Sequence, residues 1–190
     1  MSEDRSKDYV SEKGNGPKVL IIAGIVILAL LIAFAIYAFL TPGYMSQKQV
    51  LNNYYKAVSK EDARLYKKCC YTSKWSKGYT QDSVKGNNLD QIIADAFTMQ
   101  SGATYSDVEI ISQESLDDRY ADSMMENVES LYGIKIKVSK ISKVNFTVNY
   151  TLGGVDDKTG TLTRYCYKSG GKWYFLSDTD VIISMMLEEN

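Results

Sequence analysis

The most apolar stretch of the chain runs from Val19 to Leu40, twenty-two residues without a charged side chain. As a helix it would be about 33 Å long, enough to cross a hydrocarbon layer of about 30 Å. A cleaved signal peptide is the alternative, because Ala33–Ala35 resembles a small-x-small cleavage site. The apolar run continues five residues beyond that site. The pattern therefore predicts an uncleaved transmembrane helix over residues 18–40.

Positive charges flanking this segment predict its orientation. Four precede the span, namely Arg5, Lys7, Lys13 and Lys18. A comparable stretch after it holds only Lys48 and Lys56. We therefore expect residues 1–17 to be a disordered cytoplasmic tail and residues 41–190 to form an extracytoplasmic domain at the cell membrane.

Helical spacing dominates the first part of residues 41–190. Pro42-Gly43 is expected to end the first helix, and Ser46 to cap a helix that runs through Val58. Ser59 is then expected to cap a second helix that carries Asp62 in its first turn. A third helix is predicted over Leu89–Met99, and the polar segment Tyr71–Asn88 is predicted to be a loop.

Strand periodicity follows. Val108–Ile111 reads as a short strand, and Leu116–Tyr132 returns to helical period before Gly133. Strands are expected at 134–138, 144–152, 161–168 and 173–176. Gly153-Gly154 and Lys158–Gly160 are expected to bound a turn, and residues 169–171 to form a hairpin loop. A short closing helix is expected through Val181, Ile182, Met185 and Met186. This order predicts an α+β domain with helices packed on a mainly antiparallel sheet of four or five strands.

Composition excludes several functions. Lys and Arg total 22 against 23 Asp and Glu, a net charge of −1, which is not the basic surface that nucleic-acid binding requires. The chain has no histidine, so it lacks the imidazole of a catalytic triad and of a His-containing zinc site. We therefore expect no cofactor, no metal and no nucleic-acid partner.

A resemblance emerges from two segments, YYKAVSKEDARLYKK from Tyr54 to Lys68 and GGKWYFL from Gly170 to Leu176. They resemble the nuclear-transport-factor-2-like superfamily, in particular its membrane-anchored or lipoprotein members in Gram-positive bacteria, whose functions are often unknown. The resemblance implies a strongly curved sheet crossed by paired helices, with a cone-like cavity between them. The helix at 116–132 departs from this pattern by interrupting the strands, which leaves the strand order open.

Two kinds of chemistry fit such a cavity. Enzymes of the superfamily use an Asp base, and Asp62, Asp90 and Asp95 are the candidates here, although aspartates at helix starts usually face solvent. Alternatively, tyrosines line a binding wall, or simply cover a sheet face with their hydroxyls in water. The candidate pocket residues are aromatic: Tyr54, Tyr66, Trp75, Tyr165 and Trp173.

The three cysteines leave two alternatives open. Either Cys69 or Cys70 forms a disulfide with Cys166, or all three are buried free thiols.

Charge is distributed unevenly along the chain: residues 64–77 are basic and residues 107–129 are acidic. Three interpretations stay open. The two charged regions dock a protein partner, the basic region contacts anionic lipid or wall polymer, or both are simply solvated helix faces.

The leading hypothesis is a single-pass membrane protein that displays a non-enzymatic binding or scaffolding domain in the cell envelope, where it meets a protein partner and contacts the bilayer through Val19–Leu40. One alternative is an inner-membrane assembly subunit of a conjugation or type IV secretion-like machine. Another is a small-molecule isomerase or dehydratase that uses a cavity aspartate.

Overall fold

A computed structural model describes residues 16–40, 42–81, 89–177 and 181–182 of the chain. The chain divides into two compact units, residues 1–40 and residues 41–190, and each is described by itself. The predicted tail lies almost wholly outside the described residues. The same holds for residues 82–88 of the predicted loop and for Met185 and Met186.

The first unit contains α1, from Gly16 to Leu40. It begins two residues inside the predicted tail. The large apolar side chains described along it, from Ile22 to Ile36, are all more than half exposed. Among the residues that the structure describes, no helix is both long and apolar enough to cross a membrane.

The second unit begins with a helical layer. It contains α2 (Gln47–Ser59), α3 (Ala63–Cys70), α4 (Ser73–Gln81) and α5 (Leu89–Met99). The Ser46 hydroxyl accepts a hydrogen bond from the Gln49 backbone N–H at 3.3 Å, which confirms the predicted cap. The prediction of α5 is also confirmed, with the same bounds.

The predicted cap of α3 was wrong. Asp62 caps α3, because its carboxylate accepts from the Leu65 backbone N–H at 2.9 Å. Ser59 is instead the last residue of α2, and its hydroxyl donates to the Tyr55 carbonyl while accepting from the Tyr105 backbone N–H. Both residues are good caps in isolation, and the distant partner at Tyr105 decides between them.

Replacing Asp62 tests this assignment. We expect Asp62→Ala to reduce the free energy of unfolding by about 1 kcal/mol, since an orphan helix N–H loses its acceptor. Asp62→Asn keeps a capping oxygen and is expected to cost much less. Chemical denaturation of both variants measures the difference, and equal losses would contradict the cap.

The expectation that Tyr71–Asn88 is a loop was also wrong in part, because α4 occupies its first half. The helix begins with a side-chain cap: the Thr72 hydroxyl accepts a hydrogen bond from the Trp75 backbone N–H at 3.1 Å. In a segment this rich in polar residues, the sequence does not distinguish such a cap from a loop residue. Trp75 is almost completely buried and is the anchor of α4 in the core.

Four strands form one antiparallel sheet in the order β1-β2-β3-β4. Their bounds are Ala103–Ser115, Lys140–Leu152, Val155–Ser169 and Lys172–Phe175. The helix α6, Asp118–Tyr132, lies between β1 and β2 in the chain and ends at Gly133 in the left-handed conformation, as predicted. Consecutive strands are neighbours in space, so α6 interrupts the sequence of strands without altering their order.

Three strand predictions need correction. Residues 134–138 alternate in burial, as the sequence indicates, but they form no strand; they pack under α6, where the Met125 sulfur accepts from the Val138 N–H. Residues 158–160 lie inside β3 rather than in a turn, because Gly153-Gly154 already makes a two-residue hairpin. The short strand predicted at 108–111 extends over the whole of β1.

The core lies between the helices and one face of the sheet. Helix α2 contacts both β1 and β4, and Tyr54 stacks on Phe175 of β4 with ring centroids 3.8 Å apart. On β2, Val144, Phe146 and Val148 are buried while the residues between them are only half-buried. The period of two in the sequence therefore predicted the buried face correctly.

Both edge strands of the sheet depart from regular strand pairing. The register of β1 with β2 shifts twice, between Ser106 and Glu109 and again between Ile110 and Ser112. At the other margin, Tyr44 pairs with Trp173 of β4 through two backbone hydrogen bonds of 2.7 and 2.9 Å. The 42–44 segment thus covers part of the outer edge of β4.

Candidate functional site

A groove of about 430 Å³ opens on the helix-facing side of the sheet. It lies where β2 and β3 extend beyond the core toward their shared hairpin. Its lining comes from α2, the α5–β1 connection and the first three strands: Tyr55, Gln100, Tyr105, Val148, Tyr150, Leu152, Gly160, Thr161, Leu162 and Arg164.

Arg164 is the only charged residue among the described residues of this lining. It occupies a core-facing position of β3, because its cross-strand partner is the fully buried Val144. One guanidinium nitrogen donates to the Thr163 carbonyl at 2.8 Å, and the side chain is exposed. Within the described part of the chain, no carboxylate forms an ion pair with Arg164. Among the described residues, its charge therefore faces the groove without a compensating acid.

Three tyrosines form one wall. The Tyr55 and Tyr105 ring centroids are 4.9 Å apart, and those of Tyr105 and Tyr150 are 6.5 Å apart, with the rings tilted by 47° and 40°. Burial raises the pKa of Tyr55 to about 12, and Arg164 opposes that rise by its charge and a hydrogen bond. Burial likewise raises the pKa of Tyr105, again against the charge of Arg164. The phenols of Tyr55 and Tyr105 therefore stay neutral near pH 7 and can donate hydrogen bonds.

Gly160 determines how this wall is built. A Cβ atom at this position would lie 3.1 Å from the Tyr150 ring. Because Gly160 has no side chain, the Tyr150 ring can pack directly against the backbone of β3. The Tyr150 ring thereby shields the glycine backbone from solvent. Such pairing of an aromatic residue with a glycine on a neighbouring strand stabilises sheets. Apolar surface from Val148 and Leu162 completes the floor.

None of the five predicted pocket residues lines the groove. Tyr54, Tyr66 and Trp75 are buried in the core, where Tyr54 contacts Tyr66 with ring centroids 5.4 Å apart. Tyr54 touches the groove lining by accepting a 3.3 Å hydrogen bond from Gln100 and by an edge contact with the Tyr55 ring, centroids 5.2 Å apart. Tyr165 and Trp173 are half-buried, and Lys168 lies over the Trp173 ring. The structure therefore does not bring these five around one cavity.

The candidate bases also lie elsewhere. Asp62 caps α3, Asp90 forms an ion pair of 2.6 Å with Lys67, and Asp95 accepts a hydrogen bond from Gln91. All three are exposed. These contacts are the usual ones of surface aspartates on helices, and they do not place a carboxylate in the groove.

The three cysteines are free and buried. Burial raises the pKa of each thiol, which leaves little reactive thiolate at neutral pH. Cys70 also contributes its carbonyl to the fold, since the Tyr167 hydroxyl donates to it at 2.8 Å. Within the described residues, no group of three or more Cys, Asp and Glu side chains is arranged to hold a metal ion.

A second cleft, of about 470 Å³, lies between α4 and the end of α6. Lys74, Lys77 and Lys135 line it, together with Tyr132 and Ile134. Lys135 pairs with Glu129 at 3.0 Å on the surface. The C-terminal end of α6 carries partial negative charge, so lysines at this position stabilise the helix without any ligand.

No family model, curated protein or solved structure matches this chain. The domain is an α+β unit whose four-stranded antiparallel sheet carries one groove with a single arginine and a tyrosine wall.

The residues that line the groove were missed in the sequence, although one signal was present. In the strand around residues 161–168, Leu162, Arg164 and Cys166 share the apolar face. An arginine at a core-facing position requires a special environment, and that position marks the groove.

Proposed function

We propose that this protein is a single-pass membrane protein of the cell envelope whose outer domain binds a ligand in the groove. Residues 19–40 cross the bilayer, residues 1–17 remain in the cytoplasm and residues 41–190 lie outside the cell. Support comes from the uncharged run of twenty-two residues and from the exposed apolar side chains along the described part of α1. The excess of positive charge before the span supports the orientation.

The observation that carries the binding role is Arg164, which has no ion-pair partner among the described residues and lies in a groove walled by tyrosines. Arg164 presents its charge beside aromatic and apolar walls, where an anionic ligand group would form charge-assisted hydrogen bonds with the guanidinium. Binding is favoured over catalysis because the candidate aspartates lie on the surface away from the groove.

The nuclear-transport-factor-2-like resemblance belongs to the same proposal. It is supported by α2 and α3 packing on one face of an antiparallel sheet and by the GKWYF strand at the sheet's edge. In such a cone-like domain the groove corresponds to the open side of the cavity.

Membrane fractionation and protease treatment test the tether. We expect the full-length chain to sediment with membranes and to resist extraction by high salt and alkali, since a spanning helix is held by apolar burial. Protease added to intact cells is expected to remove the outer domain and spare a fragment that contains residues 1–40. An uncut chain in the supernatant would overturn the proposal, and a stable multiprotein complex after detergent extraction would favour an assembly subunit instead.

A further inference from the structure

We propose that the groove binds an organic monocarboxylate that bears a ring, with the carboxylate on the guanidinium of Arg164 and the ring against Tyr105 and Tyr150. This inference names the ligand class of the proposed function and rests on it. No described residue of the lining other than Arg164 carries a charge.

The charge of the lining selects a monoanion. A ligand with one negative charge is neutralised by Arg164 alone, whereas a dianion such as a phosphate monoester would keep an uncompensated charge in a groove with partly apolar walls. Cations are disfavoured because no described lining residue is acidic. The single arginine therefore favours a carboxylate over a phosphate monoester.

The guanidinium has the donors for this role. Arginine carries five N–H groups in a planar fork that matches the two oxygens of a carboxylate. The bond from one terminal guanidinium nitrogen to the Thr163 carbonyl holds the tip of the side chain to its own strand and leaves other N–H groups for a ligand. Tyr55 lies within hydrogen-bonding reach of the same guanidinium and further limits its movement.

The wall selects a ring. Tyr105 and Tyr150 present neighbouring faces, half-buried, beside the apolar Val148 and Leu162. Aromatic faces bind flat rings by stacking and bind the C–H faces of sugars in the same way. The volume of about 430 Å³ lies within the range of small-molecule sites, about 300–1,000 Å³.

A titration of the arginine side chains tests the proposal. The chain has only four arginines, so the Nε–Hε NMR signals of full-length protein in a non-ionic detergent are few and can be assigned by substitution. We expect phenylacetate to shift the Arg164 signal in a saturable way and phenylacetamide, the neutral match, to leave it unchanged. Phenyl phosphate is expected to bind more weakly.

Galacturonate and a tripeptide that ends in phenylalanine distinguish the sources of the carboxylate. Saturable binding of galacturonate but not galactose indicates a sugar acid. Preference for the tripeptide over its C-terminal amide indicates a peptide end. Either result supports the proposal, whereas equal binding of the acids and their neutral matches would overturn it, as would the absence of binding by every acid.

Matched variants complete the test. We expect Arg164→Gln to weaken binding of phenylacetate at least tenfold, because a charge-assisted contact is lost, and Arg164→Lys to recover part of it. Arg119→Gln is the control, since Arg119 is likewise an exposed arginine beside a tyrosine, Tyr120, but lies outside the groove. Unchanged binding by Arg164→Gln, with thermal stability equal to that of the control, would refute the ligand class. The membrane and protease measurements do not depend on Arg164, so failure here leaves the tether intact.

Discussion

Substituting alanine for Gly43 is expected to reduce the free energy of unfolding of the outer domain by about 2–5 kcal/mol. Two costs combine. Gly43 has a φ of +83°, a conformation that costs a residue with a Cβ atom about 1–2 kcal/mol. A Cβ atom would also lie 2.6 Å from the Tyr174 ring, so the 42–44 segment or that ring must move, at about 1–3 kcal/mol.

Movement at this point has further consequences. The Gly43 N–H donates to the Lys68 carbonyl at 2.8 Å, and the Tyr174 hydroxyl donates to the Pro42 carbonyl at 3.0 Å. Displacing the segment weakens both bonds as well as the pairing of Tyr44 with β4. Urea denaturation, monitored by the two tryptophans, measures the loss.

Gly102 provides the matched control. Its φ is +80°, but no heavy atom lies within 4 Å of the position where a Cβ would stand. Gly102→Ala therefore carries the backbone cost without the steric one, and about 1–2 kcal/mol is expected. If both alanine variants lost the same stability, the close approach of Gly43 to Tyr174 would be disproved.

The second large effect is expected at Phe146, in the centre of β2. Its side chain is completely buried, and its ring lies 5.8 Å from the Tyr55 ring of α2. Phe146→Ala removes a contact between the sheet and the helical layer and leaves a cavity, which costs about 3–5 kcal/mol. That is a large part of the total stability of a typical domain, about 5–15 kcal/mol, so the melting temperature is expected to fall by about 10 °C or more.

Thr147, one position along, lies on the opposite face of β2 and is half-buried. Thr147→Ala is expected to cost about 1 kcal/mol or less, which reflects strand propensity alone. Differential scanning calorimetry on both variants compares the two faces of the same strand. Similar losses would mean that the register of β2 is wrong by one residue.

The elements with the strongest periodicity were predictable. The helices α2, α5 and α6 and the strand β2 each carry an apolar stripe at the correct spacing, because each buries one face against the same core. The α+β class follows from their order. By contrast, α4 escaped prediction because Trp75 is the only large buried side chain among its described residues, and one anchor does not create a period.

Local signals failed where two of them competed. Ser59 and Asp62 are both good helix caps, and only the contact of Ser59 with Tyr105, forty-six residues away, separates their roles. Lys158–Gly160 has the composition of a turn. However, the chain already reverses at Gly153-Gly154, so Lys158–Gly160 continue β3 and pair with β2. A sequence pattern indicates the local conformational preference of a segment. Which residue caps α3 and where β2 turns into β3 depend instead on contacts with residues that are distant in the sequence.

The groove was the least predictable feature. The aromatic candidates included Tyr54 but not Tyr55, its neighbour in α2, although only Tyr55 lines the groove. Helical periodicity predicts that both face inward, and it does not show where the helical layer ends. The extent of the cavity depends on how far β2 and β3 extend beyond α2, which is a tertiary property.

The margins of the sheet have a consequence for how copies of this protein can associate. Regular edges invite strands from other molecules, but the register shifts distort β1, and Tyr44 occupies main-chain groups of β4. Main-chain pairing with another strand is therefore disfavoured at the distorted middle of β1 and at Trp173 of β4.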